Sequence, residues 1–282
     1  MGIQFPIYID SEYDLLQKVV LCEPTYMEIR DVINATQRKY LKENIDQELA
    51  MTQHREFTKK LTEHGVEVIL LPPSETYPEQ VFTRDIGFTV GNKLFIAEMA
   101  KEIRKGEENV LKKKLDNKGI SFVDLVNGRI EGGDVLVDHK TIYVGLSNRT
   151  NEHAVKQLQQ NIPDYDIVTI PIDEKYLHLD CVFNILSPKE ALIYPEALHN
   201  ETVTYLASKY ELIEVTEEEQ FALATNVFSI GCKQVFSMPI NSRVNEQLRE
   251  RGYKVIEVDF SEIIKSGGSF RCCTLPLLRK QV

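Results

Sequence analysis

The sequence predicts an α/β fold in which five similar units close into a ring, and three observations predict it. A helix-then-strand phrase recurs five times along the 282 residues. Between these phrases lie hairpin-like stretches, each with two apolar strands around a polar turn carrying a lysine. Residues able to do chemistry also recur at one spacing. Arg84 (with Asp85 beside it), Glu131, His178, Thr225 and Cys272 follow one another at intervals of 47 residues. A unit of fixed period that cannot bury its own face calls for an array or a closed rotor. Alternating helices and strands also allow an open doubly wound sheet. The chain ends favour the ring, because Thr274–Leu277 can pair with Lys18–Cys22 and complete a fifth hairpin.

The elements follow in order. A helix-period pattern from about Tyr40 to His64 stops at Gly65, a C-terminal signal, before the strand Val66–Leu71 and Pro72-Pro73. A Lys-rich helix ends at Gly119 ahead of a strand through Val123. Asn151–Asn161 precedes Pro163 and the strand Ile167–Pro171; Leu198–Lys209 precedes Glu211–Val215; Asn241–Arg251 ends at Gly252 before Tyr253–Asp259. The hairpins are expected at 88–96, 135–144, 182–193 and 227–236, with Lys93, Lys140, Lys189 and Lys233 at their turns. No linker or low-complexity stretch marks a boundary, so residues 1–282 are expected to form a single domain.

Composition excludes several function classes. The chain is 43% hydrophobic and 27% charged, ordinary for a globular protein. A net charge of −10 argues against a nucleic-acid partner, which needs a basic face. No apolar run is long enough to span a membrane, and the N-terminus carries no signal pattern. Gly2 follows Met1, but Pro6 stands where a myristoylation signal needs Ser or Thr. A cytoplasmic location is expected. Five cysteines without CxxC spacing fit reduced thiols, and nothing calls for a metal or cofactor. An acidic balance is compatible with a small cationic ligand.

The stretch KSGGSFRCCTLPL, Lys265–Leu277, is the strongest candidate for chemistry. Paired glycines let a ligand approach the backbone, and a thiol beside a fixed cation, here Arg271, can be held as the nucleophilic thiolate. Each residue has an ordinary structural explanation when taken singly: free cysteines pack as small hydrophobes, and acids near glycine turns cap helices or bind amides. Their shared period changes the reading. Cys, His and acid at the openings of successive hairpins would converge on one channel as nucleophile, base and orienting acid.

VFTRD, EGGD, GLSNRTN, HLDCVF and GGSFRCCTLPL, in that order over nearly the whole chain, resemble the guanidine-modifying (pentein) superfamily of dimethylarginine dimethylaminohydrolases, arginine deiminases and arginine amidinotransferases. The resemblance implies a five-bladed α/β propeller around a central channel. It implies Cys272 as nucleophile, His178 as general acid/base and Glu131 as the acid that positions it. Asp85 would clamp the guanidinium, with Asp180 as a second clamp. Arg149 and Arg104 would grip the substrate carboxylate, Glu79 would meet the α-amine, and Tyr26–Gln37 would lie where the family carries a lid. The implied partner is a small cationic guanidino substrate, arginine or a methylated arginine, with no cofactor and with homo-oligomerisation left open.

The chemistry suits these residue types. An arginine guanidinium is permanently charged, and bidentate carboxylates hold it planar while offsetting its desolvation. Thiolate attack on the guanidino carbon, with His178 protonating the departing amine, gives a thiouronium that water converts to a ureido product. Length and GLSNRTN place dimethylarginine hydrolysis first. Asp180 pulls towards an unmethylated guanidinium, so arginine deiminase is the alternative, then amidino transfer. A non-catalytic guanidine-binding propeller is the alternative of a different class, but it has no use for Cys272 with His178.

Overall fold

The computed structural model describes residues 6–126 and 128–281. The N-terminal positions Met1 and Gly2 therefore lie outside the described residues. Among the described residues, the strands form five three-stranded sheets. One sheet joins the two ends of the chain: β1 (Leu15–Cys22) pairs antiparallel with the C-terminal strand Leu275–Lys280 and parallel with β2 (Glu67–Leu71). The others are β3–β5 (Gly87–Val90, Lys93–Ile96, Val123–Asp124), β6–β8 (Val135–Asp138, Thr141–Leu146, Asp166–Pro171), β9–β11 (Phe183–Ile185, Glu190–Ile193, Glu211–Glu214) and β12–β14 (Phe228–Gly231, Gln234–Ser237, Lys254–Glu257); the C-terminal strand is β15.

Every sheet has the same pattern. In four of them an antiparallel hairpin is followed, after a helix, by a third strand parallel to the middle one; in the β15–β1–β2 sheet the chain ends form the antiparallel pair instead. Parallel pairing requires such a crossover, which explains why helix-then-strand phrases recur. The pairing expected between the chain ends is present, with Val20 opposite Leu275.

The helices differ from expectation at two places. The pattern read as one helix from Tyr40 is α1 (Ala35–Tyr40), a turn, and then α2 (Gln47–Glu63). Asp46 caps α2 by accepting from the Leu49 N–H, which fixes its start later than apolar periodicity implies. A short acidic helix, Glu217–Phe221, was not expected; Thr216 and Glu219 form a capping box that nucleates it. The remaining helices, Glu107–Asn117, Glu152–Asn161, Asn200–Ala207 and Ser242–Glu250, fall within the expected ranges.

Packing supports the cysteine loop directly. Helix α2 buries Ala50, His54, Phe57 and Leu61, a helical stripe. The Phe57 ring meets Phe236 edge-on at 4.9 Å and Phe260 at 5.4 Å, while Phe260 stacks on Phe270 at 4.3 Å. Phe270 is two residues from Cys272, so a well-packed aromatic cluster anchors the loop. Among the described residues, no helix is long and apolar enough to cross a membrane.

Candidate active site

Turns open the hairpins, and each is hydrogen-bonded to the next. The Gly132 N–H donates to the Asp85 carbonyl (3.1 Å), and the Leu179 N–H to the Asp134 carboxylate (2.9 Å). Asn226 Nδ2 donates to the Asp180 carbonyl (3.2 Å), and its Oδ1 accepts from the Cys272 N–H (3.2 Å). The Arg84 N–H donates to the Cys272 carbonyl at 3.0 Å, which completes the circuit. The 47-residue period is therefore the spacing of five turns that satisfy one another's buried polar groups.

Cys272, His178 and Asp85 from these turns join Arg104, Arg149 and Glu79 from other segments in the lining of one pocket. All of them are buried. Glu131 lies behind the wall, with Oε2 2.7 Å from His178 Nε2, and accepts also from the Ala100 N–H. Asp85 Oδ1 stands 3.6 Å from His178 Nδ1 and, though buried, makes no hydrogen bond among the described residues. An orphaned carboxylate oxygen at a pocket wall is a vacant acceptor for a cationic donor. Gly133 permits this geometry: a Cβ there would sit 2.7 Å from His178 Cγ and Nδ1. At Gly267 the backbone takes φ +95, a conformation L side chains rarely adopt, as the chain turns towards Cys272.

Charge is concentrated here. Burial depresses the His178 imidazole, but Asp85 and the bond to Glu131 outweigh it and lift the group to about 10. Burial raises Glu131, yet its bond to His178 and the nearby arginines hold it well below the usual carboxylate range. Both shifts favour an imidazolium–carboxylate pair. Burial pushes Asp180 up against the pull of Arg271 and His178. Its two oxygens are 3.9 and 4.0 Å from Cys272 Sγ.

The two arginines expected to grip a carboxylate have acidic neighbours. Arg104 donates to Asp85 Oδ2 at 2.6 Å and to Glu107 at 2.8 Å; Arg149 lies 3.4 Å from both Glu131 oxygens. Arg104 therefore holds the proposed guanidinium clamp in place. From Tyr26–Gln37, Ile33 and Asn34 reach the pocket lining.

Sequence reasoning missed a set of buried ion pairs around Glu12 and Asp180. Arg271 donates to Glu12 Oε2 at 2.6 Å, and its Nε lies 3.3 Å from Asp180 Oδ2. Arg84 and Arg279 also influence Glu12; despite burial, Arg271 and Arg84 hold it down at about 2. Arg84 carries the 47-residue signal and Gln37 stands one interval before it, but Glu12 and Ser266 lie outside that period. Among the described residues, two triads gather ligand-type atoms within 4.8 Å, namely Asp85–Glu131–His178 and Asp180–Cys181–Cys272. Each has an arginine against its carboxylate, a fixed charge that opposes a dication.

Comparison with known proteins identifies the family. The family profile described as N,N dimethylarginine dimethylhydrolase, eukaryotic, matches residues 23–279. The chain is 53% identical over 269 residues to the uncharacterized protein YkgA of Bacillus subtilis (strain 168), covering 95% of this chain and 94% of that one. It is 27% identical to the N(G),N(G)-dimethylarginine dimethylaminohydrolase of Pseudomonas aeruginosa, covering 80% and 87%. Among solved structures, the N-terminal domain of ArgZ, an arginine dihydrolase from cyanobacteria, superposes with a TM-score of 0.85 at 24% identity, covering 94% and 98%. The chain belongs to the dimethylarginine dimethylhydrolase family of the guanidine-modifying (pentein) superfamily, and it is an amidine hydrolase.

Proposed function

We propose that this protein hydrolyses a C–N bond at the guanidino carbon of an arginine-type substrate through a covalent intermediate on Cys272. The observation that carries the reading is one pocket lined by both Cys272 and His178, with His178 Nε2 2.7 Å from Glu131 Oε2. The five sheets, joined end to end by β1 and β15 and by the circuit of turns, support reading them as the blades of a closed propeller around this site.

The substrate guanidinium takes the vacant Asp85 oxygen as its clamp. Beside that cation the Cys272 sulfur attacks as thiolate and forms a C–S bond, giving a tetrahedral adduct. His178 delivers its proton to one terminal nitrogen as the C–N bond breaks, and the amine leaves. The imidazole, now neutral, takes a proton from water. The resulting hydroxide adds to the thiouronium carbon, the C–S bond breaks, and a ureido product departs.

Asp180 favours L-arginine as the substrate. Its carboxylate 3.9 Å from the sulfur would face a second terminal nitrogen, so two acids flank an unmethylated guanidinium. The family profile favours asymmetric dimethylarginine as the second reading. Incubation with each substrate, with ureido product, ammonia and dimethylamine all quantified, tests both. Ammonia from arginine supports the first reading and dimethylamine the second. Absence of ureido product from either, with ligand bound, would defeat the hydrolase reading.

A further inference from the structure

Resting on the reading of Glu79 as the group that meets the substrate α-amine, we propose that Gln37 and Ser266 are positioning residues for that contact. Through them the 33–40 segment discriminates in favour of substrates with a free α-ammonium.

Glu79, Gln37 and Ser266 come from three distant parts of the chain and are all buried. Ser266 Oγ lies 3.0 Å from each Glu79 oxygen. Gln37 Nε2 donates to Glu79 Oε1 at 2.6 Å and to Ser266 Oγ at 2.8 Å. Gln37 is itself held at both ends of its amide, since its Oε1 accepts from the Ile33 N–H at 2.8 Å. Asn34 caps α1 by accepting from the Gln37 N–H at 2.8 Å, and its Nδ2 donates to the Ser266 carbonyl at 2.9 Å. The segment is thus tied to the loop leading to Cys272, with Glu79 at the junction.

Counting donors shows what the junction lacks. Gln37 contributes one hydrogen to Glu79 and Ser266 contributes one, while an ionised carboxylate offers about four acceptor positions. Two acceptor positions remain on a carboxylate that lines the pocket. A primary ammonium, with three donors, complements them. Burial lifts Glu79 to about 7, and Arg104, Ser266, Arg149 and Gln37 all pull it back towards the charged form. Gln37 and Ser266 therefore do two things: they aim the carboxylate and favour its ionisation. Both bond Glu79 and neither bonds Asp85, His178 or Cys272 among the described residues, so they act on substrate binding rather than on bond breaking.

The test compares L-arginine with 5-guanidinopentanoate, which lacks only the α-amine, using the full-length chain. Gln37→Leu and Ser266→Ala are each expected to raise KM for arginine about 10- to 100-fold, the loss of a hydrogen bond to a charged group. KM for 5-guanidinopentanoate and kcat for both compounds should stay within about 3-fold, and Ser266→Thr, which keeps the hydroxyl, should retain the arginine preference. Equal losses for the two compounds would overturn the proposal. Glu79→Gln separates it from the reading beneath it. If Glu79→Gln abolishes the arginine preference while Gln37→Leu and Ser266→Ala keep it, the proposal fails and the reading of Glu79 stands. If Glu79→Gln leaves the preference intact, both fail. Should Gln37→Leu not fold, the Ser266→Ala and Ser266→Thr pair makes the same comparison.

Discussion

His178 Nε2 lies 2.7 Å from Glu131 Oε2, a buried pair contributed by the openings of two successive hairpins. The pair stores a proton. A solvated imidazole would release it near neutrality, whereas this one, between Glu131 and Asp85, keeps it to about pH 10.

Replacing Glu131 tests that storage. Glu131→Gln removes a negative charge from the ring, so the His178 pKa falls and the alkaline limb of the pH–rate profile moves to lower pH. A kcat loss of about 10²- to 10⁴-fold is expected. A profile whose alkaline limb stays in place would show that Glu131 does not hold the proton.

The same shift affects stability. The folded-state His178 pKa is raised from 6.5 to about 10, so its stabilising contribution is complete below about pH 6.5 and lost as pH rises towards 10. Denaturant unfolding between pH 6 and pH 10 should show a steeper alkaline loss in the native chain than in His178→Gln. Parallel curves would contradict the assignment.

Cys272→Ser should lower turnover on the order of 10⁴-fold or more while leaving substrate binding measurable by calorimetry. Turnover near the native rate would remove Cys272 as nucleophile.

Asp180→Asn should weaken arginine about 10- to 100-fold and dimethylarginine much less, because a charge-assisted contact to the second terminal nitrogen is lost. Equal changes in KM would mean that Asp180 does not set selectivity.

Gly133→Ala should displace the imidazole, since the new methyl would sit 2.7 Å from His178 Cγ. A stability cost of about 1–3 kcal/mol is expected from overpacking, with a larger loss of activity than of melting temperature. A crystal structure of the variant with His178 unmoved would defeat the argument.

Much of the architecture was legible in the chain. The helix-then-strand phrases and the four hairpins follow from local periodicity and turn chemistry, and the pairing of the Lys18–Cys22 and Thr274–Leu277 stretches from the half-hairpin left at each chain end; its register, Val20 opposite Leu275, came from the structure. The spacing of Glu131, His178 and Cys272 was legible too, because repeated units place equivalent turns at equal intervals. Helix boundaries were less so. Asp46 and Thr216 begin helices through side-chain caps that hydrophobic periodicity does not register.

The sequence alone determined the repeating α/β unit, the positions of the turns and the residue types at their tips, since all are set by contacts between near neighbours. Only the tertiary structure decided that Arg271 leans on Glu12, that Arg104 bonds Asp85, and that Gln37 and Ser266 meet at Glu79. Those pairings join residues whose order in the chain says nothing of their distance. They exist because each buried charge needed a partner, and the partner is whichever side chain the packed sheets and loops brought within reach.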